Sequence, residues 1–404
     1  MVWTVDWDPD FKYVLGGPPT RRLTPNFRLS EFQRADGSVR VHRELVSALQ
    51  ILRDWFGRSI SVNADVGSGD GADGLAAVVR GTPRDELVSR ARNLQALGVF
   101  SSVEEDADSV TVAIPDPDHL PPIDMAQALN TAFSITSAFE TTGDKFQQVT
   151  GNFDDAGLSF GPAQVNFRSG TLAPMFEEFR QTDEAALRAC FDDPTDYEEW
   201  LSVLASDRDT QIEWADAIST GRGKHEVAEP WKTYLKAVGR VPAFRVIMVQ
   251  RILESYGGKL KRALAYLREV RDIPIDHLRC ICSLYDLVIQ QGSLKRADAE
   301  IRARVEAEDP RDQFHLVRIA VEERGRKANQ RWRADCMSRR VGILEGKPVV
   351  VSESDHETQR ANLKFYMLRD VRIGNGAEIH TTDLSDEIAR VSEAVAAGGN
   401  SLLA

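Results

Sequence analysis

Cysteine is scarce in this sequence: Cys190, Cys280, Cys282 and Cys336 are the 4 in 404 residues. So few cannot staple a chain of this length, so a disulfide framework is excluded and a reducing compartment of synthesis is expected. The four read as core thiols. Cys280 and Cys282 have one residue between them and no matching second pair, which is not zinc-ligand spacing and points to a buried helix face. Long apolar runs are also missing, none approaching the roughly 20 residues of a membrane span. The opening Met1-Val-Trp-Thr-Val-Asp-Trp-Asp-Pro-Asp is acidic where a secretion signal is basic, so the chain is expected to be made in the cytoplasm without a signal peptide. Basic charge is in deficit, with 50 Lys and Arg against 62 Asp and Glu and a formal charge of −12, which disfavours a general nucleic-acid binder. His225, His277, His315, His356 and His380 have no mutual ligand spacing, and neither metal nor cofactor is expected.

What is present is an ordinary globular composition, 42% hydrophobic and 28% charged, in a chain long enough for two or three domains. Residues 1–25 are rich in Trp, Gly and Pro and read as an arm docking through Trp3 and Trp7. Residues 26–118 read as a small α+β domain. Leu45, Leu49, Leu52 and Phe56 mark a helix that stops at Gly57; a strand follows at 59–63, a helix at 83–97 and a strand at 109–114. The run Pro115-Asp116-Pro117-Asp118-His119-Leu120-Pro121-Pro122 is a stiff linker. Residues 119–345 are mainly helical. Helices are expected at 124–139, 172–179, 183–190, 196–204, 207–218, 229–238, 242–256, 259–270, 275–290, a charged stretch to about 308, and 310–337, broken by one Gly-rich, strand-prone segment at 151–166. An extension, 346–404, holds a strand at 349–351 and a helix at 384–397. The fold class is α+β.

Asn26-Phe27-Arg28-Leu29-Ser30-Glu31-Phe32, with His42-Arg43-Glu44-Leu45-Val46 and the run from Leu52 to Val62, resembles the opening of zinc D-alanyl-D-alanine carboxypeptidases. The resemblance covers about 26–115. If Gly74 is the glycine of that family's ligand segment, the positions of its His and Asp hold Gly71 and Val78, and no His stands in 110–113 for the third ligand. A catalytic zinc needs three protein ligands, so the resemblance implies a degenerate peptidase kept for wall binding or docking. His42 and Asp70 are polar residues from which an unrelated site could be built, but they read more simply as surface groups.

The sharpest signal lies at 123–166. A helix ends in Ser137-Ala138-Phe139-Glu140, and after a turn comes Gly151-Asn152-Phe153-Asp154-Asp155-Ala156-Gly157-Leu158-Ser159-Phe160-Gly161-Pro162-Ala163-Gln164-Val165-Asn166. A carboxyl at the end of a mostly apolar helix is partly desolvated, which raises its pKa and suits it to protonate a leaving oxygen. A second carboxylate on a Gly-punctuated hairpin can activate water across a cleft. Glycines at 151, 157 and 161 are expected to let the backbone approach a sugar closely.

This arrangement is similar to that of chitosanases and their lysozyme-superfamily relatives, in which a catalytic Glu closes a helix and a catalytic Asp opens an Asp-Gly-x-Gly-x-(Thr/Ser)-x-Gly strand. The resemblance implies Glu140 as general acid, Asp154 as second carboxylate and Ser159 as the hydroxyl holding the water. Asp155 stands where the family usually has Gly, and since strand neighbours point to opposite faces, either aspartate is open to be the one in the cleft. Gln164 and Asn166, two apart, share a strand face from which they either bind sugar hydroxyls and N-acetyl groups or hold the hairpin together.

Two distal segments extend the likeness to about 123–345: Leu284-Tyr285-Asp286-Leu287-Val288-Ile289-Gln290-Gln291-Gly292, and the run from Ala328 to Arg340. The basic run 324–340 reads as a solvated, salt-bridged face rather than a site for anionic wall polymer. A phage-like subgroup with Gly-Asn-Phe-Asp and Gln-x-Asn motifs is associated with peptidoglycan cleavage. The resemblance thus implies a mainly α, lysozyme-like hydrolase of peptidoglycan glycan strands, carried by a phage, prophage or contractile injection particle and acting at the cell wall. The alternatives are an inactive structural or adaptor protein of such a particle and a chitosanase-like polysaccharide hydrolase.

Overall fold

The computed structural model describes residues 2–4, 13–14, 17–24, 26–63, 74–96, 98–115, 122–140, 145–346, 349–351, 360–362 and 371–397. They form a mainly helical α+β fold in two units. One comprises 1–136 and 253–388, the other 137–252 and 389–404; the chain passes between them within helices Met125–Glu140, Pro242–Val270 and Ser385–Ala397.

In the first unit the helix Arg43–Phe56 buries Leu45, Leu49, Leu52 and Phe56, and ends where Gly57 takes φ +71° and donates to the Arg53 carbonyl at 3.0 Å. His42 is not a surface group. It is buried and caps this helix, its Nδ1 accepting from the Glu44 N–H at 3.2 Å; Asp70 lies outside the described residues. Four antiparallel strands stand in the order Ser61–Asn63, Ala76–Arg80, Val110–Ala113, Ser102–Glu105. Two of them, Ala76–Arg80 and Ser102–Glu105, lack period-two alternation: the first is buried at three of its five positions, on both faces, and the second carries one apolar residue. The residues present do not fit a zinc site. Val78 pairs with Asn63 and Thr111 inside the sheet and offers only hydrocarbon, and Gly71 lies outside the described residues.

Farther along, the helices Leu278–Gln291, Gln313–Arg326 and Gln330–Glu345 pack together. Cys280, Cys282 and Cys336 are buried there, and burial pushes the Cys280 and Cys282 thiols well up. The expected solvated, salt-bridged face holds for Arg326 and Lys327, paired with Glu323 and Glu300, but Arg324, Arg339 and Arg340 lie instead in a buried polar seam. Asp286 is fully buried against Arg339 and Arg340, with Arg340 Nε 3.3 Å from Asp286 Oδ2. The other Arg340 nitrogens donate to Gln291 Oε1 at 2.8 Å and Gln290 Oε1 at 2.5 Å, while buried Arg324 donates to the carbonyls of Ser293 and Gln291. Ionised groups stay buried here because each finds an opposite charge or an acceptor.

The strand Val349–Val351 lies between Val2–Thr4 and Arg360–Asn362, so among the described residues the first strand joins the last two in one sheet. The Trp3 backbone belongs to that sheet, whereas Trp7 lies outside the described residues. So do residues 116–121 of the expected linker.

Aromatic rings form the core of the second unit. Phe176 packs on Phe244 at 4.7 Å and edge-on to Trp200 at 4.8 Å between ring centroids, all three fully buried. The expected helices 172–179 and 183–190 meet within Leu172–Arg188 at a kink at Asp183, whose φ of −154° is not helical and whose Oδ1 caps the second segment by accepting from the Ala186 N–H at 2.9 Å. The expected pair 242–256 and 259–270 is instead one unbroken helix, Pro242–Val270. Gly257-Gly258 costs about 1 kcal/mol per glycine, and the buried side chains on either side of the pair, from Phe244 to Leu267, outweigh that cost.

Candidate active site

Three short antiparallel strands, Val149–Thr150, Ser159–Phe160 and Val165–Asn166, form a small sheet in the second unit with Ser159–Phe160 at its centre. Residues 151–158 form a tight turn between the first two. Asn152 organises that turn. It is buried, its Oδ1 accepts from the Gly157 N–H at 2.8 Å, its Nδ2 donates to Asp216 Oδ1 at 2.8 Å, and its backbone N–H donates to Ser219 Oγ at 2.8 Å. Asp216 is also bound by Lys224 Nζ at 2.5 Å. Hydrogen bonds from Lys224, then Asn152, hold its carboxyl below the usual carboxylate range.

With its base tied down, the turn presents Phe153, Asp154 and Asp155 to solvent. Asp154 accepts one backbone bond, from the Ala156 N–H at 3.2 Å, which closes an Asx-type turn and leaves the carboxylate outward. Asp155 takes φ +60°, a left-handed conformation, where the resembling family usually has Gly. Its backbone carbonyl accepts from Arg168 Nε at 2.7 Å. Because 154 and 155 lie on a turn and not on a strand, alternation does not separate them and both side chains are exposed.

The glycines have another use than the one expected from their pattern. A Cβ on Gly151 would stand 2.6 Å from the carbonyl oxygens of Lys224 and Glu226, and one on Gly161, at φ +75°, would stand 2.4 Å from Met248 Sδ. The space these glycines leave is filled by the chain itself, which fastens the hairpin to its neighbours.

Ser159 is buried in the central strand, paired with Thr150 on one side and Asn166 on the other. Gln164 precedes its strand, at φ +48°, so it does not share a strand face with Asn166. Gln164 Oε1 accepts from Thr150 Oγ1 at 3.2 Å and its Nε2 donates to the Gly161 carbonyl at 3.0 Å. Asn166 Oδ1 accepts from the Ser169 N–H at 2.8 Å and its Nδ2 donates to the Gln164 carbonyl at 3.3 Å. Both amides close the hairpin on itself. Glu140 is the last residue of the helix Met125–Glu140; its side chain lies outside what the structure describes, as do residues 141–144.

Sequence reasoning gave no role to Asn152, Asp216 or Lys224. The signal was an Asn at the head of the Gly-Asn-Phe-Asp turn, where Asx side chains bond backbone N–H groups; its partners, more than 60 residues away, carried none. Among the described residues, no group of three or more His, Cys, Asp or Glu is placed to hold a metal ion. No described helix is long and apolar enough to cross a membrane.

No family model matches the chain, and no curated protein matches it significantly. Among solved structures it has a weak similarity to a GH46 chitosanase from Gynuella sunshinyii in complex with chitotetraose, with a TM-score of 0.39 and 15% identity over 59% of this chain and 98% of that one. A mutant chitosanase from Bacillus subtilis MY002 complexed with 6 GlcN gives 0.38 and 15%, over 59% and 96%. The native chitosanase from the same source gives 0.36 and 16%, over the same shares.

Proposed function

We propose that this protein is a glycoside hydrolase that cuts β-1,4 bonds of peptidoglycan glycan strands by inversion. The observation that carries the reading is the anchored turn: buried Asn152 holds a rigid loop from which Asp154 projects its carboxylate into solvent. In the proposed reaction Asp154 takes a proton from a water whose oxygen attacks the anomeric carbon. Glu140 gives its proton to the glycosidic oxygen as that C–O bond breaks, leaving a product of inverted configuration. Ser159 serves as a positioning residue for the water, and Gln164 and Asn166 keep the hairpin in shape. The Gly151-Asn152-Phe153-Asp154 and Gln164-x-Asn166 motifs support peptidoglycan as substrate and delivery to the bacterial wall by a phage-like or contractile injection particle. In this reading residues 26–118 dock the protein and carry no metal chemistry.

The test is loss of turbidity of purified peptidoglycan, with the masses and anomeric form of the released fragments. Expected are disaccharide-repeat fragments with new reducing ends. An inert protein that still binds the wall selects the adaptor reading, in whose favour stands the internal hydrogen bonding of the Gln164 and Asn166 amides.

A further inference from the structure

Phe153 and Trp332 are the exposed large hydrophobic residues among those described, and Phe153 keeps 45% of its surface in solvent. Its ring lies nearly parallel to the imidazole of His225, with centroids 4.4 Å apart and planes 18° from parallel, and His225 is itself exposed. The two rings are held by chain segments already bound to each other. The Gly151 N–H donates to the His225 carbonyl at 3.2 Å, the missing Gly151 side chain lets the backbone close on residues 224 and 226, and Asn152 is bonded to Asp216 and Ser219. The stack is therefore pre-formed, and its next residue along the chain is Asp154.

We infer that Phe153, backed by His225, is a sugar-stacking platform that seats one pyranose ring of the substrate beside Asp154. A β-1,4-linked amino sugar carries its large substituents equatorially, so each face of its ring is a patch of axial C–H groups, apolar and flat enough to lie on an aromatic face. An aromatic ring that is already rigid and half desolvated loses little entropy on receiving it. The inference rests on the glycosidase reading and adds to it a specificity-determining residue: substrates are chains of neutral-faced pyranoses, selected by stacking before the carboxylates act.

The test uses the full chain and glycan strands freed of stem peptides, measuring release of reducing ends and, separately, co-sedimentation with insoluble strands. Phe153→Ala is expected to raise KM about tenfold while kcat stays within about threefold, the pattern of lost binding common to ground and transition states. Phe153→Trp, which restores a flat face, is expected to keep KM near that of the wild type, and His225→Ala to raise it less than Phe153→Ala. An unchanged KM in Phe153→Ala, with an active wild type, overturns the platform and leaves the glycosidase reading standing. Equal losses in Phe153→Ala and Phe153→Trp overturn it too, since turn shape and not the ring face is then what counts. A wild type that neither cuts nor sediments with the strands overturns both.

Discussion

Asp154 and Asp286 each sit inside a run that resembles the same family, and the two regions treat them in opposite ways. Around Asp154, a turn is built from hydrogen bonds to its neighbours, Asn152 and Gly157, so the aspartate itself is left exposed with a single backbone donor. Around Asp286, two helices close completely, and the carboxylate is neutralised by Arg339 and Arg340 in a seam that also takes up Gln290 and Gln291. A carboxylate held by two guanidinium groups away from water is a fastener, whereas one held by its neighbours' bonds in water is available for chemistry. Neighbouring side chains, and not residue type, divide the two roles.

The sharpest way to break this comparison is to neutralise the carboxyls of the proposed site. Asp154→Asn keeps the Oδ1 acceptor and the turn, so the rate of wall hydrolysis is expected to fall about a thousandfold, within the range of general-base catalysis, while the melting temperature stays unchanged. Glu140→Gln is expected to match it and Asp155→Asn to retain most of the activity; a severe loss in Asp155→Asn alone would show that the other aspartate faces the substrate.

Next in size, Asp286→Ala strands two buried guanidinium groups and is expected to cost about 3 kcal/mol of stability, read from the urea midpoint. A wild-type midpoint would mean that the seam is not a fastener.

Smaller still is Asn152→Ala, which removes the acceptor of the Gly157 N–H and a donor to Asp216 at once. A loss of about 1–3 kcal/mol is expected, with hydrolysis reduced alongside it. A loss of hydrolysis with no change in stability would instead give Asn152 a direct part in the reaction.

The smallest effect concerns thiol chemistry. Cys190, half-buried, has its pKa pushed up to about 11 by burial, so about a thousandth of it is thiolate at pH 8. Its alkylation is expected to rise about tenfold per pH unit between pH 8 and pH 10, with Cys280 and Cys282 slower throughout because opening of the buried helix Leu278–Gln291 limits them. Mass-spectrometric labelling at three pH values checks this, and Cys282 reacting as fast as Cys190 would refute it.

Much of the fold was legible because local rules carried it. The heptad-like spacing of Leu45, Leu49, Leu52 and Phe56 with Gly57 after it placed a helix and its end, and the Gly-rich segment 151–166 read as a small β element. Illegible were the features decided by partners far off in sequence. Strand Ala76–Arg80 reads poorly because buried residues stand on both of its faces, and Arg339 and Arg340 read as solvated with the rest of their run because a helix pattern does not reveal that Asp286, Gln290 and Gln291 lie across from them.

The amino-acid sequence by itself determined the helical punctuation, the acidic turn and the identity of the candidate carboxylates, since these depend on backbone preference and on residues within a few positions of one another. Only the tertiary structure decided that Gly151 and Gly161 serve packing, that Gln164 and Asn166 bond within their own hairpin, and that Asp286 is sealed while Asp154 is open. Burial and charge pairing are set by which surfaces meet, and for each of these except the two amides the meeting surfaces come from residues dozens of positions apart.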